Sequence, residues 1–427
     1  MSNPARRRGV WFAAAAVGLV AALAPAAQAA RPSSVVAWNA IAQRAAIAVG
    51  KQPPPLATAT LAYVQAAVYD ATVAIDGGGQ PYALSLRPRP HASVDAAVAT
   101  AAHDMLVDLL PGQAAALDAD YATALAAITS GRAKDAGIAV SRLAAEAIIT
   151  VREGDGYQAD IGFVMPSPAP GVWQLPAGTA PLTPWLSRMR PFILERADQF
   201  QPGPPPALAS RAWAEDFNEV KAVGGATSTA RTPEQTTIAR FWTTHAVQQW
   251  NTAIGDLAQR RDLDVDQAAR LFAMVDVISA DALIACFDAK YQYLFWRPEF
   301  AVPQGDSDGN PATKADPIWK PLAATPAHPE YPSAHGCFSM AAATTLAAFL
   351  GTRHIDIDMP SVVTPDMPTR HFDTVRQLIR EIQSARVWAG IHFRFSTVVG
   401  SHLGKQVARW DLQHGPFMAS DDDPDDD

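Results

Sequence analysis

The stretch Lys290-Tyr291-Gln292-Tyr293-Leu294-Phe295-Trp296-Arg297-Pro298 decides the reading of this chain. On a helix, seven residues return a side chain to nearly the same face, about 10 Å further along the axis. Pro298 disfavours helix at Arg297, so the helix is expected to end there. Two long cations on one face can then converge on one small anion. A solvated basic face is the competing reading. The intervening Tyr, Leu, Phe and Trp argue for burial, and a buried Lys/Arg pair needs an anionic partner.

Outward from this stretch, most of the chain reads as helix. Leu61, Val64, Ala67 and Val68 follow a 3.6-residue period within 56–73. Further apolar-periodic runs cover 95–110, 114–127, 133–153, 210–223, 232–258, 264–293, 333–350 and 371–387. Alternating β-branched runs bounded by hairpin turns are not evident, so the expected class is all-α. Residues 160–206 are Pro-rich and carry Trp173 and Trp185, which fits an ordered crossover rather than a linker. A second loop region spans 298–329. Its acidic turn at 305–310 lacks the twelve-residue ligand pattern of a calcium loop.

Composition narrows the function. The 427 residues are 49% hydrophobic and 18% charged, with a formal net charge of −8. That excludes intrinsic disorder and a multi-span membrane protein. It also offers no basic footprint for nucleic acid. The two cysteines, Cys286 and Cys337, give no zinc-ligand spacing, although one bridge between them is possible. Arg6 to Arg8, the apolar run Val10 to Leu23 and Ala27-Gln28-Ala29 together read as a signal peptide. The expected organisation is a signal peptide at 1–29, a helical region with the Pro-rich crossover at 30–235, a catalytic helical bundle at 236–415 and an acidic disordered tail at 416–427. The mature chain is expected to be secreted or periplasmic, with no membrane span after cleavage.

Two more strings carry chemistry. In Pro332-Ser333-Ala334-His335-Gly336, Ser333 sits at an N-cap position before an Ala-rich helix. The N–H groups that follow it, with the helix dipole, make an anion site. His335 can donate to an apical oxygen or move protons. Taken alone, the string is equally a capped helix with an incidental histidine. In Ser384-Ala385-Arg386-Val387-Trp388-Ala389-Gly390-Ile391-His392, Gly390 is expected to end a helix and let Arg386 and His392 turn toward one centre. A lone core histidine is the bland alternative. Together the three strings suit a tetrahedral oxyanion, with one histidine left to attack or ligate its central atom.

These strings resemble the vanadium-dependent haloperoxidase and type 2 phosphatidic acid phosphatase superfamily. Its signature runs Lys-x6-Arg-Pro, Pro-Ser-Gly-His, then Ser-Arg-x5-His-x3-Asp. Here Ala334 replaces the glycine, Ser384 stands one place further from Arg386, and Ser396 replaces the final aspartate. His328-Pro329-Glu330-Tyr331-Pro332-Ser333-Ala334-His335 is similar to the bacterial haloperoxidase-like branch. The resemblance implies a helical bundle with long Pro-rich loops and a vanadate cofactor. It implies that His392 binds vanadium axially, or attacks phosphorus in a phosphatase. Lys290, Arg297, Arg386, Ser333 and the Ala334 N–H would hold the oxygens, and His335 would serve the apical position. Ser396 would stand in for the aspartate that orients the histidine, and His328 hints at bromide or iodide. The implied reaction is halide oxidation by hydrogen peroxide to a hypohalous acid equivalent, which halogenates an organic acceptor. An acid phosphatase with a phosphohistidine, acting on phosphomonoesters or lipid phosphates, and a non-catalytic oxyanion-binding protein are the alternatives. His245 is read as a core or surface histidine more readily than a pocket one, and Asp281 and Asp288 are assigned no role.

Overall fold

A computed structural model of the chain describes Met1 and residues 33–362 and 367–417. The export-signal reading and most of the acidic tail lie outside the described residues. The N-terminal helices are α1 (Ser34–Gln43), α2 (Pro54–Asp76), α3 (Val94–Leu109), α4 (Ala114–Ala126) and α5 (Arg132–Arg152). After the crossover come α6 (Arg211–Gly224), α7 (Pro233–Phe241), α8 (Ala246–Arg260), α9 (Val265–Tyr293) and the single turn α10 (Pro298–Ala301). Then follow α11 (Ala334–Phe349), strands β1 (His354–Met359) and β2 (Arg370–Thr374), α12 (Val375–Trp388) and α13 (Arg394–His414).

The long helix α9 is the axis of the bundle. Asp264 and Gln267 close a reciprocal capping box at its start, and Leu294 ends it in the left-handed conformation. Both α9 and α2 are buried around nearly their whole circumference, as expected for helices apolar on all sides. They pack on each other, and α11 and α13 also lie against α9. Among the described residues no helix is long and apolar enough to cross a membrane.

Four local expectations are corrected. The run 232–258 is two helices, because residues 242–245 leave the helix between α7 and α8. The run from His371 begins as strand, and only Val375 onward is helical. A short antiparallel hairpin pairs β1 with β2; Ile355, Ile357 and Met359 alternate inward with exposed or half-buried residues between them. Its two aspartates, poor strand formers, masked that alternation. Finally, α13 had no counterpart in the sequence reading. Its buried face carries Ser396, Thr397, Gly400, Ser401 and Gly404, so its apolar period is faint.

Those small residues have a structural reason. A methyl group added at Gly404 would overlap the Cys337 carbonyl oxygen, so α11 and α13 touch there through backbone. Gly404→Ala is therefore expected to cost about 1–3 kcal/mol, the usual scale of overpacking, read as a lower midpoint in thermal unfolding. An unchanged midpoint would contradict the close crossing. Cys286 and Cys337 are both buried and unbridged. Asp281 is far from idle: its buried carboxylate accepts the N–H groups of Phe192, Ile193 and Leu194 at 2.6, 2.7 and 2.9 Å. It thereby ties the Pro-rich crossover to α9. Burial pushes its carboxyl up to about 6, against the pull of those three donors.

Candidate active site

Lys290 lies in the last turn of α9, fully buried, with its ammonium donating to the carbonyls of Pro329 (2.7 Å) and Glu330 (3.0 Å). Arg297 is not on that helix. The left-handed turn at Leu294 releases the chain into extended backbone, and Arg297 becomes the N-cap of α10. The two cations converge because the helix breaks between them, not through the helical repeat. Arg297 donates through Nε to the His328 carbonyl (3.1 Å) and through Nη2 to His328 Nδ1 (3.1 Å). Its Nη1 meets the Ile391 carbonyl (2.7 Å) and His392 Nε2 (3.1 Å).

Ser333 caps α11 as expected, its hydroxyl accepting the Gly336 N–H at 3.4 Å. Its own N–H donates to the Ser396 carbonyl at 3.1 Å, which joins the start of α11 to α13. Ala334 and His335 follow in the first turn of α11 and line a cavity of about 150 Å³ with His328, Arg386 and His392. Lys290, Arg297 and Ser333 are fully buried, and Arg297 reaches two of the lining residues, His328 and His392.

Arg386 projects from α12, anchored by Nη1 to the Trp242 carbonyl at 2.5 Å; its buried Nε has no partner. Gly390 then reverses the chain at φ 75°, where a Cβ would overlap the Gly224 carbonyl oxygen. That turn delivers His392 just before α13.

The decisive contact comes from Glu330. Its Oε1 lies 2.8 Å from His392 Nδ1 and accepts the Phe393 N–H at 3.0 Å. Arg297 can only donate, so His392 Nε2 is the acceptor and Nδ1 carries the proton toward the carboxylate. Ser396 is secondary: its hydroxyl reaches the Glu330 carbonyl at 3.3 Å and His392 Nδ1 at 3.4 Å. Sequence reasoning quoted Glu330 within its string and gave it no role. The available signal was a lone acid amid prolines and aromatics, beside cations that need a counter-charge. Asp281 and Asp288 do not supply it. His245 stays outside the cavity, capping α8 and meeting the Gln52 carbonyl at 3.1 Å.

Burial sets the protonation states. It pushes Lys290 down to about 8, Arg386 to about 9 and Arg297 to about 10. Burial drives His392, His335 and His328 well below the usual imidazole range, helped by nearby cations. Burial also raises Glu330 to about 7, against the pull of Arg297 and Lys290. Three cations against one carboxylate leave two positive charges around a neutral imidazole lone pair, a site for a dianion.

Residues 270–418 match the family model described as the VCPO second helical-bundle domain. This part of the chain is similar to that domain. The match holds all of the cradle described above from Lys290 to His392. The vanadium chloroperoxidase of Curvularia inaequalis is 29% identical across 47% of this chain, and the chain spans 43% of that protein. A bacterial vanadium-dependent iodoperoxidase structure superposes with a TM-score of 0.77 at 24% identity, covering 89% of this chain and 96% of that one. The holo form of a bacterial vanadium-dependent chloroperoxidase gives 0.68 at 17% identity, over 84% and 92%. The chain therefore has the vanadium haloperoxidase fold, with the second bundle domain carrying the cradle.

Proposed function

We propose that this protein is a vanadate-dependent haloperoxidase that oxidises iodide or bromide with hydrogen peroxide to a hypohalous acid equivalent. The carrying observation is the His392 Nε2 lone pair, oriented by Glu330, in contact with Arg297 and lining one cavity with Arg386. Vanadate suits this donor set: the cradle has two unbalanced positive charges, and the Arg386 Nε is buried without a partner. His392 would hold the vanadium. Lys290, Arg297, Arg386, the Ser333 hydroxyl and the Ala334 N–H would hold its oxygens. Bound vanadate supplies Lewis-acid activation of peroxide toward halide. His335, neutral and half-buried at the cavity wall, takes the peroxide proton as general base. The neutral His328 adds a ring to the cavity wall beside Arg297. The halogenating equivalent then passes to an organic acceptor. The first 29 residues fit export of such an enzyme, whose product is damaging inside a cell.

The same donors suit phosphoryl transfer through His392, so the test runs both reactions. Purified protein is loaded with vanadate and given peroxide, iodide or bromide, and a halogen acceptor. Vanadate-free protein is given a phosphomonoester. Vanadate-dependent halogenation is expected. Phosphate release without halogenation would move the protein to the acid phosphatases, and vanadate binding with neither activity would make it an oxyanion binder. Saturating vanadate should also raise the unfolding midpoint, since ligand at one hundred times its Kd stabilises by about 2.7 kcal/mol.

A further inference from the structure

A dianion would use up the two net positive charges of the cradle, and Arg386 is the one charged side chain among the residues that line the cavity. Much of the rest of its wall is apolar, with Pro54, Pro55, Leu182, Val247, Leu283 and Phe338 among the lining residues. A halide entering there needs positive field from another source, and the neutral His328 offers none. Two helices besides α11 begin on this wall, α2 at Pro54 and α8 at Ala246, but Pro54 and Pro55 have no N–H to offer, which leaves α8. The first N–H groups of a helix have no carbonyl partner within it, and its dipole favours an anion. At α8 a second observation coincides. Thr244 lines the cavity at only 7% exposure, and its hydroxyl is buried without a hydrogen-bond partner. An idle buried hydroxyl is costly unless something completes it.

We propose that the Thr244 hydroxyl and the first turn of α8 form the halide subsite, and that it takes iodide and bromide ahead of chloride. The proposal rests on the haloperoxidase reading above. The preference follows from the wall: moving an ion from water to an apolar surface costs less as the ion grows, so the larger halides lose less hydration energy there. The break between α7 and α8 acquires a purpose. It turns the Trp242 carbonyl to Arg386 and sets Thr244 at the head of α8, so one four-residue segment serves both anions.

The test uses vanadate-loaded wild type, Thr244→Val and Thr244→Ser. The valine variant keeps the shape and loses the hydroxyl; the serine variant restores it. The Michaelis constant for iodide should rise about tenfold in the valine variant, the loss of one hydrogen bond to a charged group, and stay within about twofold in the serine variant. The Michaelis constant for peroxide and the vanadate dissociation constant, the latter by equilibrium dialysis, should move less than about twofold. A crystal soaked in millimolar bromide should show anomalous scattering beside Thr244. If all three constants rise together, Thr244 is structural and the proposal falls. It falls too if the iodide constant is unchanged, if bromide sits elsewhere, or if a peak needs molar bromide and marks an adventitious ion only. Bromide bound at Thr244 without halogenation upholds the subsite and overturns the peroxidase reading instead.

Discussion

His392→Ala is expected to abolish halogenation, lowering turnover at least about 10³-fold, the scale on which removing a nucleophile or acid–base group acts. Two neutral lone pairs face Arg297, His392 Nε2 at 3.1 Å and His328 Nδ1 at 3.1 Å. Only the first has a carboxylate behind its other nitrogen, and that partner raises ligand basicity and fixes the ring. In His328 the Pro329 carbonyl lies 3.2 Å from that same Nδ1, so it gives the ring no support from behind. His392→Ala should therefore lose tight vanadate binding, leaving the weak, salt-sensitive attraction of three cations. His328→Ala should cost far less vanadate affinity. Dialysis of both variants against vanadate checks the assignment, and the reverse ranking would transfer the ligand role to His328.

The helices of the bundle were legible because their apolar faces repeat every 3.6 residues, and the three strings were legible because long cations and histidines are rare in such runs. What escaped was carried by backbone. Arg297 reaches the site through the left-handed turn at Leu294, which no propensity marks. The break at 242–245 falls within a continuous apolar period. The close approach of α13 rests on glycines and serines that read as noise. The partner of His392 escaped for a different reason. Its substitute for the missing aspartate lies 62 residues away in sequence, so the position four after the histidine pointed to Ser396 instead. A one-dimensional motif records which residues recur at fixed spacing; it does not record which segment fills a vacated role in space.

Replacing Glu330 is expected to weaken vanadate binding, about 100-fold for Glu330→Ala and about tenfold for Glu330→Gln, the range seen when the partner of a metal-bound histidine is lost. The opposite outcome has a physical case. Removing a carboxylate from a cationic cradle should strengthen its pull on an anion, and at an effective dielectric of about 20 a unit charge some 7 Å away is worth about 2 kcal/mol. Lys290 decides between them. Burial already holds it down to about 8, and Glu330 is one of the charges that keep it from falling further. Without Glu330, Lys290 sheds its proton near neutrality. The cradle then returns to two positive charges, having lost an ammonium as well as the support of the imidazole. The pH profile carries the sign. In the wild type, Glu330 gains its charge as pH rises through about 7, and vanadate affinity falls as pH rises through about 8, where Lys290 loses its own. In Glu330→Gln that fall begins at lower pH. Vanadate's own protonation is common to both proteins and cancels in the comparison. Dissociation constants measured from pH 6 to 9 (about one unit beyond the expected limb on its alkaline side) would show coincident profiles if Glu330 only packs against the ring, and tighter binding in the variant if its charge opposes the anion.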